Sequence, residues 1–557
     1  MTRRATESRP ELADPLYYLR NFDFVVDWVE QRYPDLLAER ERALMARIRQ
    51  LPEPARALLV RMVMRKGELF RADRLNYSEI GPAEQAAEPL LKADLLTRDP
   101  PLESNALCHL LTLAELRQVA RQAVPAAAEP APARKRDLQA WLQQHGPAEQ
   151  LWSSWWPDAP TPLYRVEIMP FCDRLRLMFF GNLRQEWSTF VLAELGLFRY
   201  ETVTFDRTSR PFSSAREIDT WLHLHQCRER LEQGESAADI LPAVPNVAAG
   251  SDWLTARRDR LLYQIAYRLE RQDDLETAAE LYRRTAAPGA RQRLIRVLER
   301  QQQPEQALAV LLQARARPES EAERQQLERM AARLHRKAGR PGSPGNPAPK
   351  RLWSEARVSL ATEEERVERA VAAYLERDNA PVFWVENALI NSLLGLLCWP
   401  AIFAPLPGAF FHPYQSGPAD LNRPDFRRRR EALFEQALAT LNNGTYRAVI
   451  IDCWEKKQGL QNPFVHWGLL SEELLGLALD CIPTDHLGAM FRRILFDIRA
   501  NRSGLPDLVQ FYPQENRYRM IEVKGPGDRL QDNQSRWLAF CCENDIPVAV
   551  TYVDYAE

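Results

Sequence analysis

Residues 504–525 read GLPDLVQFYPQENRYRMIEVKG, a pattern that no single helix accommodates. Two runs rich in Val, Ile, Phe and Tyr flank the polar PQEN, as in two strands joined by a hairpin loop. Asp507 opens the first run, while Glu522, Val523 and Lys524 close the second, so the hairpin gathers charge at one end. The amphipathic DRLQDNQSRWLAFCCEND and the apolar IPVAVTYV follow, and strand, strand, helix, strand makes a small α/β core. Alternate side chains of a strand share a face, which puts Glu522 and Lys524 on one side and Val523 on the other. Asp507 brought beside Glu522, with the Val523 carbonyl, supplies the hard oxygen donors that Mg²⁺ or Mn²⁺ takes. Taken singly, Asp507 after Pro506 fits a turn, and Glu522 with Lys524 fits an exposed strand ion pair. Their joint occurrence points to chemistry. No GxGxxG or Walker lysine motif accompanies them, which argues against a dinucleotide or ATP site.

The chain around this segment has 557 residues, enough for three or four domains. Its net charge of −2 gives no global attraction to polyanions, so any nucleic-acid site must be a local basic patch. The eight cysteines are scattered without a CxxC pair, and MTRRATESRPELADP lacks the apolar core of a secretory signal; both fit reduced thiols in a cytoplasm. The longest apolar stretch, Ala388 to Pro407, contains Asn391 and three prolines. It reads as a buried helix followed by a loop, not a membrane span.

Residues 1–240 are helical in pattern. DPLYYLRNFDFVVDWVEQRY has helical spacing, and PEPARALLVRMVMRKGELFRADRL reads as a helix leading into an extended segment. Thr112 and Glu115 stand at capping-box spacing ahead of LAELRQVARQAV. A Pro/Ala run breaks that helix, and RKRDLQAWLQQHG supplies a second, with Leu138, Trp141 and Leu142 on one face. Two short helices with basic residues at the start of the second, at about 105–146, resemble a SAP module, in which Arg134, Lys135 and Arg136 would contact phosphates. A solvated basic helix end is the other reading of the same residues. Residues 150–240 read as a mixed region with short strands. Over 241–372 the chain is almost purely helical, and Leu-Glu-Arg-Gln recurs at Leu269 and Leu298 with matching Ala278 and Ala307. Such an echo suggests stacked helical hairpins similar to degenerate tetratricopeptide (TPR) units. GRPGSPGNPAPK, residues 339–350, is a linker. The last region is 373–557.

Asp507 followed by Glu522-Val523-Lys524 resembles the PD-(D/E)XK nuclease superfamily. GLPDLV followed by EVKGPGDRLQDNQ and Trp537 is similar to a VRR-NUC domain, and the order of regions resembles a bacterial-type Fanconi-associated nuclease. The resemblance implies a multidomain, mainly α protein: a helical, SAP-containing DNA-binding region, TPR-like repeats, and a C-terminal α/β core like that of restriction endonucleases. It implies a nuclease that cuts near 5′ flaps, digests 5′ to 3′ and acts in interstrand crosslink repair, using one or two Mn²⁺ or Mg²⁺ ions. Branched or 5′-flap DNA would be its partner, bound by a monomer with no membrane association. The Cys/His pattern of the ubiquitin-binding zinc finger of animal members is not seen.

The resemblance also implies an acidic ligand ahead of the hairpin. Glu386 is the lone carboxylate in VFWVENALINSLLGLLCWPAIF, where an acid on an apolar helix would need a partner or a metal; a surface position on the first helical turn is its alternative. Catalysis is thus expected from Glu386, Asp507, Glu522 and Lys524, and metal binding from Glu386, Asp507, Glu522 and the Val523 carbonyl. Gln534 is either a hydrogen-bond partner of the lysine or substrate, or a helix-surface residue. Arg499 and Arg502, a few residues ahead of Asp507, are placed to hold phosphate. Arg427 and Arg430, in the run RPDFRRRREALF, either hold DNA or form a solvated helix face. Asn533 stands where a basic residue is expected in animal members. Three other readings share parts of this pattern: a Holliday-junction resolvase or restriction-type nuclease, a non-catalytic DNA-binding scaffold, and a helical-repeat protein adaptor.

Overall fold

A computed structural model describes residues 14–124, 132–185, 187, 198–247, 250–340, 353–360 and 366–555. Nearly all of the Pro/Ala run and of the Pro/Gly linker lies outside the described residues. The chain forms two compact units, one of residues 1–198 with 212–218 and one of 199–211 with 219–557. Among the described residues, no helix is long and apolar enough to cross a membrane. All eight cysteines are free thiols.

In the first unit, helix α1 (Tyr17–Arg32) buries Tyr18, Phe22, Val25, Val26 and Val29, the stripe its helical spacing demands. Helices α2 (Glu39–Gln50) and α3 (Glu53–Val63) follow. Gly67, at φ +86°, then turns the chain into strand β1 (Leu69–Arg71). After α4 (Ala83–Lys92) comes β2 (Leu96–Arg98), and a three-stranded sheet is completed by a later strand placed between them. β3 (Pro101–Glu103) leads into α5 (Ser104–Leu110). In α6 (Leu113–Ala123) the expected capping box forms, with Thr112 N–H donating to Glu115 Oε2 at 2.7 Å. Helix α7 (Lys135–His145) buries Leu138, Trp141 and Leu142 as expected. β4 (Glu149–Leu151) pairs with β3, and β5 (Leu163–Val166) is the central strand of the first sheet. These are the short strands expected after residue 150.

The second unit holds both the helical repeats and the nuclease sheet, which the sequence reading divides at 372. Helices α8 (Asp252–Arg271), α9 (Leu275–Arg284), α10 (Ala290–Arg300), α11 (Pro304–Ala316) and α12 (Glu321–Lys337) pack in succession. Ala278 and Ala307 are buried where neighbouring helices approach. The echoed glutamates have equivalent tasks: Glu270 on α8 takes Arg293 of α10, and Glu299 on α10 takes Arg333 of α12. Each rung joins one helix to the next but one. Helix α12 is tied to the nuclease region by Glu321 with Arg493, Arg329 with Asp532, and Gln325 with Arg536. These pairs join the repeats to the nuclease region within one compact unit.

The nuclease sheet contains β6 (Ser354–Leu360), β7 (Val382–Trp384), β8 (Leu508–Tyr512), β9 (Arg517–Lys524) and β10 (Val548–Tyr555), in the order β6-β10-β9-β8-β7. β9 runs antiparallel to β8 and parallel to β10, which is also parallel to β6. The expected strand, strand, helix, strand is present, with α-helix Asp532–Glu543 between β9 and β10. The sequence reading lacks β6 and β7. β7 has only three residues, and β6 exposes most of its side chains at the sheet edge. One face of the sheet carries Val509, Phe511, Tyr518 and Met520 into the large core with Leu393, Leu396 and Trp537. The other carries Leu508, Ile521 and Val523 against Val371. Period-two alternation places Asp507 and Glu522 on the first face.

Candidate nuclease centre

The register of β8 on β9 pairs Leu508 with Ile521, so Asp507 and Glu522 are the next residues on each strand. Pairing with β8 ends there, and the Asp507 carboxylate takes its place, accepting from Val523 N–H at 2.9 Å. Because the N–H and C=O of one strand residue point to the same side, the Val523 carbonyl is turned toward Asp507, past the end of β8. Gly504 makes the approach to β8 possible: at φ +89° it packs on Asn533, and an added Cβ would lie 2.9 Å from the Asn533 main chain.

Glu522 is 1% exposed and Asp507 9%. Glu522 Oε1 accepts from Lys524 Nζ at 2.7 Å and from Gln534 Nε2 at 2.6 Å. Gln534 Oε1 in turn accepts from Gln531 N–H at 2.9 Å, closing the capping box of its helix. Gln534 therefore grips the glutamate, not the lysine. Glu522 Oε2 is buried without a hydrogen-bond partner. Burial pushes the Asp507 carboxyl up to about 6, against the Val523 N–H and Lys524, while Glu368 and Glu386 raise it further. Burial, then the charge of Asp507, pushes Glu522 up to about 7 despite Lys524, with Glu386 adding to the rise. Two carboxylates left short of positive charge suit a divalent cation. The chemistry of the donor set and the orphaned Oε2 thus fit the expected metal. Among the described residues, no three carboxylate, imidazole or thiol groups are gathered closely enough to cage an ion by side chains alone. Asp507 and Glu522 are a pair, and main-chain oxygen or a third acid must complete any such shell.

Glu386 is not on an apolar helix. It is exposed, in the turn between β7 and helix Leu389–Leu397, so the argument from burial fails for it. Main-chain bonds place it instead: Val385 N–H and Glu386 N–H both donate to the Asp507 carbonyl, at 2.8 and 3.1 Å. Asn387, at φ +58°, accepts from Leu505 N–H at 3.0 Å and fixes the same turn. Glu368 was missed by the sequence reading. It lies at the start of helix Val367–Leu375, whose Val367 and Val371 pack with Ile521 and Val523, and its charge acts on Asp507 ahead of that of Glu386. In ERVERAVAAYL it looks like an ordinary first-turn acid.

The expected phosphate contacts divide. Arg499 is exposed on the short helix Ile498–Asn501. Arg502 is half-buried, donates to the Pro463 carbonyl and lies over the Phe464 ring, 4.9 Å from its centroid. Arg430 is fully buried, its guanidinium forked on Asp420 by two bonds of 2.9 Å. It is a structural ion pair and offers nothing to a substrate. Arg427 pairs with Glu435 at 3.1 Å. Arg429 also pairs with Asp420, so three of the four arginines spend charge on the protein itself, while Arg428 is exposed. In the first unit, exposed Lys135 donates to the Leu111 carbonyl at 2.7 Å, joining α7 to the turn before α6.

A VRR-NUC domain model matches residues 441–555, and a FAN1 HTH domain model matches residues 16–97. The chain is 49% identical to the Fanconi-associated nuclease 1 homolog of Pseudomonas aeruginosa over 544 residues, 98% of this chain and 97% of that one. The chain belongs to the Fanconi-associated nuclease family. The family homolog of Arabidopsis thaliana is 23% identical over 96% of this chain and 67% of its own, and the Danio rerio protein is 36% identical over 28% of this chain and 16% of its own. Solved structures of paFAN1 bound to gapped DNA with a 2-nucleotide or a 1-nucleotide 5′ flap match 98% of this chain and 100% of theirs, each with a TM-score of 0.87 and 49% identity. As a Fanconi-associated nuclease the chain is a DNA nuclease of a family that uses divalent metal, with a mainly helical body and an α/β nuclease region. The HTH match covers α1 to the start of β2, ahead of the helix pair at 105–146.

Proposed function

We propose that this Fanconi-associated nuclease hydrolyses phosphodiester bonds near 5′ flaps, digests DNA 5′ to 3′, and serves interstrand crosslink repair as a metal-dependent monomer. The observation that carries the reading is the pair Asp507 and Glu522, both buried, both raised, and sharing one lysine. Asp507, Glu522, the Val523 carbonyl and Glu386 are the candidate holders of Mn²⁺ or Mg²⁺. When bound, such an ion acidifies water and relieves charge on the phosphoryl oxygens. The protein's own part is positioning. Lys524 and Gln534 both hold Oε1 of Glu522, which leaves Oε2 as the oxygen presented to the site. Val523 N–H holds one oxygen of Asp507 and leaves the other. Arg499 is the candidate for gripping a phosphate next to the scissile one.

Flap preference is supported by the flap-bound paFAN1 structures at 49% identity over nearly the whole chain. In this reading, 1–240 with its SAP-like pair and 241–372 with its TPR-like helices brace the arms of the DNA, and 373–557 cuts it.

The test is incision of an end-labelled 5′-flap duplex beside blunt and single-stranded controls, in Mn²⁺, Mg²⁺ or EDTA. Flap-selective cutting that chelation and Asp507→Ala both abolish is expected. Binding without cutting by the unsubstituted chain would replace the nuclease with a DNA-binding scaffold.

A further inference from the structure

Helices α10 and α12 form an open groove with one consistent chemistry. Arg293, Arg296 and Arg300 line it from α10, and Arg329, Arg333 and Lys337 from α12. In each helix these residues recur at three- or four-residue spacing, so each row is a single face. The lining carries six cations against two carboxylates, Glu270 and Glu299, and Met330 is its one apolar residue. That composition suits neither a peptide's apolar face nor a small apolar ligand. The excess is local, since the chain as a whole carries −2.

The carboxylates sit under the cations and hold them in place. Glu270 takes Arg293 at 2.8 Å, and Glu299 takes Arg333 at 2.9 Å and Lys337 at 3.3 Å. Arg333, Lys337 and Arg300 nevertheless remain about half exposed, at 50%, 53% and 46% of their side chains, and Arg296 is exposed. A guanidinium has five N–H donors, so one anchored on a carboxylate keeps others for a second acceptor. The groove also adjoins the nuclease centre within the same unit. Arg329 forks onto Asp532 at 2.8 and 2.7 Å. Asp532 begins the helix whose Gln534 grips Glu522.

We propose that this groove binds the sugar-phosphate backbone of the substrate DNA, holding an arm that runs to the nuclease centre. The choice of DNA as ligand rests on the nuclease reading above; the groove itself rests on its own cations.

The experiment measures binding of a labelled 5′-flap duplex by the full chain across a salt series without divalent metal, and single-turnover cleavage at saturating enzyme with Mn²⁺. The variant is Arg296→Ala with Lys337→Ala, which leaves the Arg293 and Arg333 rungs intact. Its affinity should fall about tenfold, and its log-affinity against log-salt slope should become shallower by about two contacts' worth. Cleavage at saturation should be unchanged. Arg296→Lys with Lys337→Arg keeps both charges and should bind as the unsubstituted chain does. Unchanged affinity and slope in the alanine variant would overturn the groove. So would equal losses in the charge-keeping variant, which would mark a folding defect. Asp507→Ala should bind with full salt dependence and fail to cut, so failure of the nuclease reading leaves a different signature. Blunt duplex and single strand in parallel identify which form of backbone the groove prefers.

Discussion

Glu270 and Glu323 in the helical repeats are nearly as buried as Glu522 in the nuclease sheet, at 5%, 3% and 1% exposure. Their surroundings differ. Glu270 is forked by Arg293 and also accepts from the Tyr282 hydroxyl at 2.9 Å. Glu323 is forked by Arg291 and accepts from Glu319 N–H. Glu522 shares a single lysine with Asp507, and one of its oxygens meets no donor. Burial alone therefore does not distinguish a working carboxylate from a structural one. The unfinished compensation does, because an uncompensated buried charge is costly unless something arrives to complete it.

The comparison breaks most visibly at Asp507. Asp507→Ala should lower flap cleavage by about 1000-fold or more, given what positioned charge contributes at such centres, while leaving DNA binding in place; a residual rate within tenfold of the unsubstituted chain would remove Asp507 from the site. In the repeats the opposite outcome is expected. Glu323→Gln weakens the hold on Arg291 and should cost about 2 kcal/mol of stability, seen as a lowered urea midpoint, with cleavage per folded molecule unchanged. Loss of cleavage at full stability would make Glu323 functional and spoil the contrast. Glu386→Ala and Glu368→Ala should each reduce cleavage about 10- to 100-fold, with weakened Mn²⁺ affinity by titration. An effect at Glu386 alone would leave Glu368 as a bystander in the field.

The smallest effect is that of pH, and it has two signs. Asp507 and Glu522 must shed protons to accept a cation, so cleavage should fall about tenfold as pH drops from 7 to 6. Without metal the same groups act the other way on stability. Their folded values lie above the unfolded ones, so between about pH 4 and 7 the folded chain holds more protons and loses stability as pH rises. Asp507→Asn should therefore melt higher than the unsubstituted metal-free chain at pH 8, by about 1 kcal/mol. A lower melting temperature would show that Lys524 already balances the pair.

The centre was more legible in the sequence than the paths that lead to it. Asp507 and Glu522 could be paired by counting because a hairpin has one register and strands alternate with period two. The 29-residue echo likewise marked Glu270 and Glu299, although the arginines they hold lie at different distances in sequence. Glu386 carried no such signal: its position depends on main-chain bonds from a three-residue edge strand to the Asp507 carbonyl. Arg430 misled because a run of arginines looks the same whether its anionic partner is a carboxylate ten residues away or a phosphate of the substrate. The HTH match at 16–97 escaped notice because its strands have three residues each and its sheet closes only with β5, some 65 residues further on.

Strand order also makes the centre depend on a segment that carries none of its acids. β10 lies between β6 and β9 and is bonded in parallel to both, yet it is the last strand in chain order among the described residues. Until Val548–Tyr555 has left the ribosome, β9 has an open edge and the strand carrying Glu522 and Lys524 is unsupported on that side. A chain cut short before Val548 would keep β7, β8 and β9 paired, but would leave the strand of Glu522 and Lys524 with one bare edge and β6 with no partner.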